Sequence, residues 1–166
     1  MKLTTKGRYA VTAMLDLAMH SSGGPVSLAD ICKRQKMSQS YLEQLFAKLR
    51  RKHLIDSVRG PGGGYRLNRG PGEIFVTEII DAVEESVDTT SCGGVKNCQA
   101  GAPCLTHHLW TDLNREINAF LDSVSLASLM QRSEIRSVSK RQDAEVIKAI
   151  KDMQSFEQQQ ATGNAS

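Results

Sequence analysis

Residues 38–67 read SQSYLEQLFAKLRRKHLIDSVRGPGGGYRL. In the first half, Leu42, Leu45, Phe46 and Leu49 fall at i, i+3, i+4 and i+7, the single apolar stripe of a helix that runs to about Lys52. Ser38 is placed to cap it. The opposite side presents Ser40, Glu43, Gln44, Lys48, Arg50 and Arg51. In the second half, two short apolar runs flank Arg59-Gly60-Pro61-Gly62-Gly63-Gly64, the pattern of a β-hairpin with a glycine-rich turn. Glycines at its tip let the backbone approach a partner closely.

Upstream, Tyr9, Ala10, Ala13, Met14 and Leu17 predict a helix over residues 4–20, broken by Ser21-Ser22-Gly23-Gly24-Pro25. Ser27, with Asp30 three residues on, opens a short second helix carrying Leu28, Ala29, Ile31 and Cys32. Lys36-Met37 is a tight connection to the Ser38 helix. Two short helices, a tight turn and a following hairpin describe a winged helix-turn-helix. Downstream of the break at Asn68–Gly72, Ile74-Phe75-Val76 reads as a short strand, and Thr77 as the cap of a helix with Ile79, Ile80, Ala82 and Val83. Residues 86–104 form a Gly- and Cys-rich loop. A long helix follows from Leu105 to about Val124, apolar along Leu109, Trp110, Leu113, Ile117, Phe120, Leu121 and Val124. With so little chain left to cover it, it is a candidate dimerisation element. Ala144 to Phe156 predicts an amphipathic helix, and Gln158 to Ser166 reads as disordered.

The expected fold is therefore mainly α with a small β-hairpin wing. Residues 1–70 form a winged helix-turn-helix domain, residues 71–130 the cysteine loop and dimerisation helix, and residues 131–166 a polar, partly disordered tail. Cys32 reads as a small core residue, His20 and His53 as surface residues, and Trp110 and Phe120 as packing.

Charge divides the chain at the same place. Residues 1–70 hold 13 Lys/Arg against 4 Asp/Glu, a balance of +9, and residues 71–166 hold 8 against 14, a balance of −6. A basic N-terminal module implies a polyanionic partner. No run approaches the roughly 18 apolar residues that span a bilayer, and no apolar segment follows the basic N-terminus as in a signal peptide, so the expectation is a cytoplasmic protein without a membrane partner. No Ser/His/Asp arrangement, paired carboxylates or phosphate loop stands out, so the pattern is not that of an enzyme.

The reader helix suits the major groove, where base edges display donor and acceptor patterns. Ser38, Gln39, Ser40, Tyr41, Glu43 and Gln44 occupy its groove-entering end. Gln44 could read adenine, and Glu43 could accept from cytosine or reject wrong bases. Lys48, Arg50, Arg51 and Lys52 would meet phosphates and supply salt-dependent affinity. Arg59, beside Gly60 at the wing, could enter a narrow minor groove.

Cys92, Cys98 and Cys104 lie within thirteen residues, with His107 and His108 just behind, as C-x5-C-x5-C-x2-H. Without a secretion signal, disulfides are not expected. Structural zinc usually uses C-x2–4-C knuckles, and this chain has none. Longer gaps suit a polynuclear centre such as a 2Fe–2S cluster, in which histidine can replace cysteine on an iron. A single zinc ion and inert thiols are the alternatives. Either histidine could face Cys104 from a helix starting near Leu105.

The segments LTTKGRYAVTAMLDLA (3–18), SQSYLEQLFAKLR (38–50), SVRGPGGGY (57–65) and C-x5-C-x5-C-x2-HHLW resemble the IscR family of iron–sulfur cluster regulators, winged-helix transcription factors, over about residues 1–125 in register. The resemblance implies a homodimer on a palindromic duplex with one 2Fe–2S cluster per subunit, received from the cluster-assembly machinery. It implies Cys92, Cys98, Cys104 and His107 as ligands. It also implies control, mainly repression, of cluster-assembly genes including the protein's own operon. A zinc-stabilised repressor and an iron–sulfur carrier are the competing readings.

Overall fold

Helix α1 (Thr5–His20) is the element on which the others are laid. The computed structural model describes residues 5–83, 90 and 92–163, and side chains as far as residue 157. Ala10, Ala13, Met14 and Leu17 are fully buried along one face of α1. Helix α2 (Leu28–Gln35) has only 8 residues, too few to persist alone. It is held by its cap and by Ile31, which is buried. Ser27 Oγ accepts from the Asp30 N–H at 3.1 Å and donates to the Asp30 carboxylate at 2.7 Å. Lys36, in the left-handed region at φ 54°, ends α2. Ser38 then stands at the N-cap of α3 (Gln39–Arg51) in an extended conformation, although its side chain makes no capping bond.

Burial fixes α3. Leu42, Leu45, Phe46 and Leu49 are buried, and each such side chain contributes about 1.5–3 kcal/mol. A polar contact on the free face contributes about 1 kcal/mol. The free face can therefore serve recognition without deciding where the helix sits.

Strands β1 (Ile55–Val58) and β2 (Gly64–Leu67) pair antiparallel, with Ile55 opposite Leu67 and Val58 opposite Gly64. Val26 adds a third arm through two backbone bonds with Tyr65, of 2.9 and 2.8 Å. The wing needs its glycines. Gly60 and Gly62 have φ of 98° and 71°. A Cβ on Gly64 would lie 2.4 Å from the Val26 carbonyl oxygen.

The chain then departs from expectation. Ile74-Phe75-Val76 is not a strand: Phe75 makes one isolated bridge with Ser125, and Val76 already begins α4 (Val76–Ala82). Thr77 is not the cap. Phe75 is, because Glu78 reaches back to accept from its N–H at 3.0 Å while Arg69 holds the other carboxylate oxygen at 2.7 Å. The Thr77 hydroxyl is buried, with no hydrogen-bond partner among the described residues. Ile74, Ile79, Ala82 and Val83, with Leu126 from α6 (Leu126–Met130), share one core with α1 and α3, so the core continues past residue 70. Between them runs α5 (His107–Ser123).

Helix α7 (Ser133–Gly163) replaces the expected short helix and disordered end, and residues 164–166 lie outside the described set. Its docking is polar, which apolar periodicity could not reveal. Gln142 and Gln35 exchange reciprocal amide hydrogen bonds at 3.0 and 3.1 Å. His20, expected at the surface, is half-buried: Nδ1 donates to the Asp16 carbonyl at 2.7 Å, and Nε2 meets Asp143 Oδ1 at 3.1 Å. Beneath them Asp16 is 3% exposed. Its carboxylate accepts from Arg34 Nε at 3.0 Å, Arg34 Nη2 at 2.7 Å and Gln35 Nε2 at 2.6 Å. Burial works to raise the Asp16 carboxyl, but His20, Arg34 and Gln35 together hold it below its ordinary value. The Asp16 carboxylate, with its carbonyl, pushes His20 up to about 9 against the effect of burial.

Candidate functional site

One side of α3 and the wing is open. Ser38, Gln39, Ser40, Glu43, Gln44, Arg50, Arg51, Lys52, Arg59 and Gly60 are exposed. Glu43 accepts from Gln39 Nε2 at 3.0 Å, so the carboxylate is held along the helix. Arg50 leans toward the wing, its Nη1 3.4 Å from Ser57 Oγ. Tyr41 and Lys48 are half-buried, and Tyr41 packs edge-on against Tyr9 at 5.8 Å. A protruding polar helix flanked by arginines and a glycine-tipped hairpin can present side chains to base edges and phosphates together.

The second constellation is built by tight turns. Gly93, Gly94 and Lys96 have positive φ, and the Val95 N–H closes a turn on the Cys92 carbonyl at 3.1 Å. Gln99 and Ala102 then exchange backbone bonds of 3.0 and 2.8 Å around Ala100 and Gly101, both at positive φ. This small hairpin brings Cys104 back to Cys98, and the Cys104 N–H donates to Cys98 Sγ at 3.0 Å. Residues 84–89 and 91, in the approach to Cys92, lie outside the described residues.

His107 starts α5 and is 2% exposed, whereas its neighbour His108 is exposed. Its Nδ1 lies 3.5 Å from Cys92 Sγ and 3.7 Å from Cys98 Sγ. The donor atoms of Cys92, Cys98 and His107 all lie within 4.8 Å of one another. Cys104 is outside that mutually close trio but neighbours Cys98; its sulfur lies 3.8 Å from Thr106 Oγ1, and it lines the same cavity of about 170 Å³ with Thr90, Thr106 and Trp110. The Cys92 thiol is under burial that raises it, yet the N–H groups of Lys96, Gly94 and Asn97 and the Cys98 thiol hold it below the ordinary range. Cys98 and the Thr106 hydroxyl hold Cys104 down. Cys98 receives the Cys104 N–H, which lowers it, but the two neighbouring thiols and burial push it up. Three sulfurs and one imidazole nitrogen around one cavity form a donor set that could hold a metal.

A winged helix-turn-helix with an open, basic reading face defines a DNA-binding regulator of transcription. Residues 3–132 match the family described as Rrf2, iron-dependent transcriptional regulator. The chain is 59% identical over 145 residues to the HTH-type transcriptional regulator IscR of Xenorhabdus nematophila, covering 87% of this chain and 88% of the relative. It is 61% identical over 143 residues to IscR of Aliivibrio salmonicida, covering 86% and 85%. Among solved structures, T. potens IscR aligns with a TM-score of 0.65 and 41% identity over 79% of this chain and 87% of that one. CymR, the global cysteine regulator of B. subtilis, aligns with a TM-score of 0.65 and 33% identity over 78% and 96%. The chain belongs to the Rrf2 family. It is a transcriptional regulator and not an enzyme, in keeping with the names its curated relatives carry. Among the described residues no helix is long and apolar enough to cross a membrane.

Sequence reasoning missed Thr90 and Thr106 beside the cysteines, Thr111 beside His107, and the Asp16–Arg34–Gln35 network. Asp16 carried a legible signal: a carboxylate three residues after Ala13 and four before His20 sits beside an apolar stripe and requires partners. Trp110 and Phe120, read as packing, are 42% and 61% exposed in the single chain, and Leu109 on the same helix is 60% exposed.

Proposed function

We propose that this protein is a cytoplasmic, homodimeric regulator that couples iron–sulfur cluster status to DNA binding. It acts mainly as a repressor of cluster-assembly genes, including its own operon. Cys92, Cys98, Cys104 and His107 would hold one 2Fe–2S cluster per subunit, received from the assembly machinery. The observation that carries this reading is the convergence of Cys92, Cys98 and His107 on the first residue of α5. A 2Fe–2S centre, when bound, supplies four metal–ligand bonds and a one-electron couple.

The chain's own residues do the rest. His107 joins the ligand set to α5, whose exposed Leu109, Trp110 and Phe120 give it an apolar face for a second subunit. Two subunits joined there would present two reading heads, whose half-sites should lie about 34–36 Å apart on a palindromic duplex. Ser38, Gln39, Ser40, Tyr41, Glu43 and Gln44 would meet base edges. Lys48, Arg50, Arg51, Arg59 and the Gly60 backbone would meet phosphates or the minor groove. Ligation must favour one DNA-binding form over another, or it shifts nothing, and the loop-to-α5 junction is where that difference can arise.

One geometric fact favours a second reading. Donor atoms within 4.8 Å of one another also suit a single ion, so a zinc-stabilised repressor is the alternative. Anaerobic purification decides between them. Brown protein with iron and sulfide in near-equal amounts is expected, and removing the cluster should change the rank order of bound duplexes. Colourless protein with about one zinc and no sulfide would establish the alternative.

A further inference from the structure

The ring of His107 is buried and each of its nitrogens has a defined neighbour. Nδ1 faces the sulfurs of Cys92 and Cys98. Nε2 lies 3.4 Å from the hydroxyl oxygen of Thr111, one helical turn on in α5. That hydroxyl has one proton, and it is spent: Thr111 Oγ1 donates to the His107 carbonyl at 2.9 Å. A threonine bonding back to the carbonyl four residues earlier is common in helices and by itself implies nothing. Here the consequence is specific. With its proton committed, Thr111 can only accept from Nε2. A neutral imidazole in this pocket therefore carries its proton on Nε2, and the Nδ1 lone pair is left pointing at the two sulfurs.

We propose that Thr111 is the positioning residue that sets the His107 tautomer, so that the metal-binding atom is Nδ1 and not Nε2. The inference deepens the proposed cluster reading and rests on it for its second half. Its first half, the tautomer, is a property of the chain with no metal bound. The general rule is that a ligating histidine gives its other N–H to an acceptor that fixes the ring, and that loss of this acceptor costs about 10–100-fold in metal affinity. Here the acceptor is neutral and supplied by the same helix, 3.4 Å from the ring nitrogen. The effect belongs at the lower end of that range.

The test uses Thr111→Val, which keeps the shape and removes the acceptor, and Thr111→Ser, which restores it. In the metal-free full chain, ¹⁵N shifts of the neutral His107 ring report which nitrogen carries the proton. Wild type and Thr111→Ser should show the Nε2–H form, and Thr111→Val a mixture. In anaerobically prepared protein challenged with a chelator, Thr111→Val should lose its cluster about tenfold faster than wild type, with Thr111→Ser close to wild type. A merely structural role for Thr111 would lower the melting temperature of Thr111→Val and leave the tautomer unchanged, and that result overturns the inference. An Nδ1–H form in wild type also overturns it. If wild type takes up no cluster but shows the expected tautomer pattern, the cluster reading fails and the positioning role stands.

Discussion

Asp16 is a carboxylate in an apolar helix, almost without solvent, and its environment sets a pH signature for the whole protein. Arg34, Gln35 and His20 surround it, and His20 is pushed from 6.5 to about 9 with the Asp16 carboxylate as the leading cause. A group whose pKa rises on folding stabilises the fold in full below its unfolded value. His20 therefore contributes fully below pH 6.5, and the contribution is lost as pH climbs through about 9. Asp16 has the opposite sign: its pKa falls on folding, so its contribution is present above 3.8 and lost as pH drops further. Urea unfolding between pH 6 and 10 should show stability declining above neutrality in the wild type. The decline should flatten in His20→Gln. An identical slope in both proteins would mean that His20 is not its source.

At the scale of elements, the wing carries the sharpest constraint. A Cβ at Gly64 would press on the backbone of Val26, which cannot swing aside as a side chain can. Gly64→Ala should cost about 1–3 kcal/mol or more in urea unfolding, and weaken duplex binding by displacing Arg59. Gly72→Ala is the control: its Cβ would meet only Ala127 Cβ at 3.8 Å, an ordinary contact, and it should stay within about 0.5 kcal/mol. The reader helix and the wing were legible because their signals are short-range, an i, i+3, i+4, i+7 stripe and a glycine run. The elements that were not legible depend on distant partners. Ile74 to Val76 hydrogen-bonds to Val124–Leu126, some fifty residues on, in place of a strand ladder. The α4 cap depends on Glu78 and Arg69, which outcompete Thr77. The cysteines were visible through their spacing. The choice between His107 and His108 waits on where α5 begins, which turns one ring inward and leaves its neighbour in solvent.

At the scale of the molecule, α7 follows residues 3–132, the stretch matched by the family model. Its half-buried polar anchors, His20–Asp143 and the Gln35–Gln142 pair, contribute about 1 kcal/mol each, and the exposed Lys36–Glu145 ion pair adds little. A chain ending at Arg132 should therefore stay cooperatively folded, lose about 1–3 kcal/mol in urea unfolding, and still bind duplex DNA in a salt-dependent way. Failure of that chain to fold would make α7 an integral part of the domain. The His20–Asp143 contact spans 123 residues of sequence, and this has a consequence in time. Ribosomes add roughly 5–20 residues per second, so the 31 residues of α7 need about 2–6 s after everything up to Arg132 has been synthesised. A nascent chain thus holds a complete reading head and Cys92, Cys98 and Cys104 before α7 exists. The same is true of products shortened by early termination or by proteases working from the C-terminus. Such fragments would compete with the intact protein for its DNA sites, so the cell's dose of active regulator need not equal its dose of full-length chain.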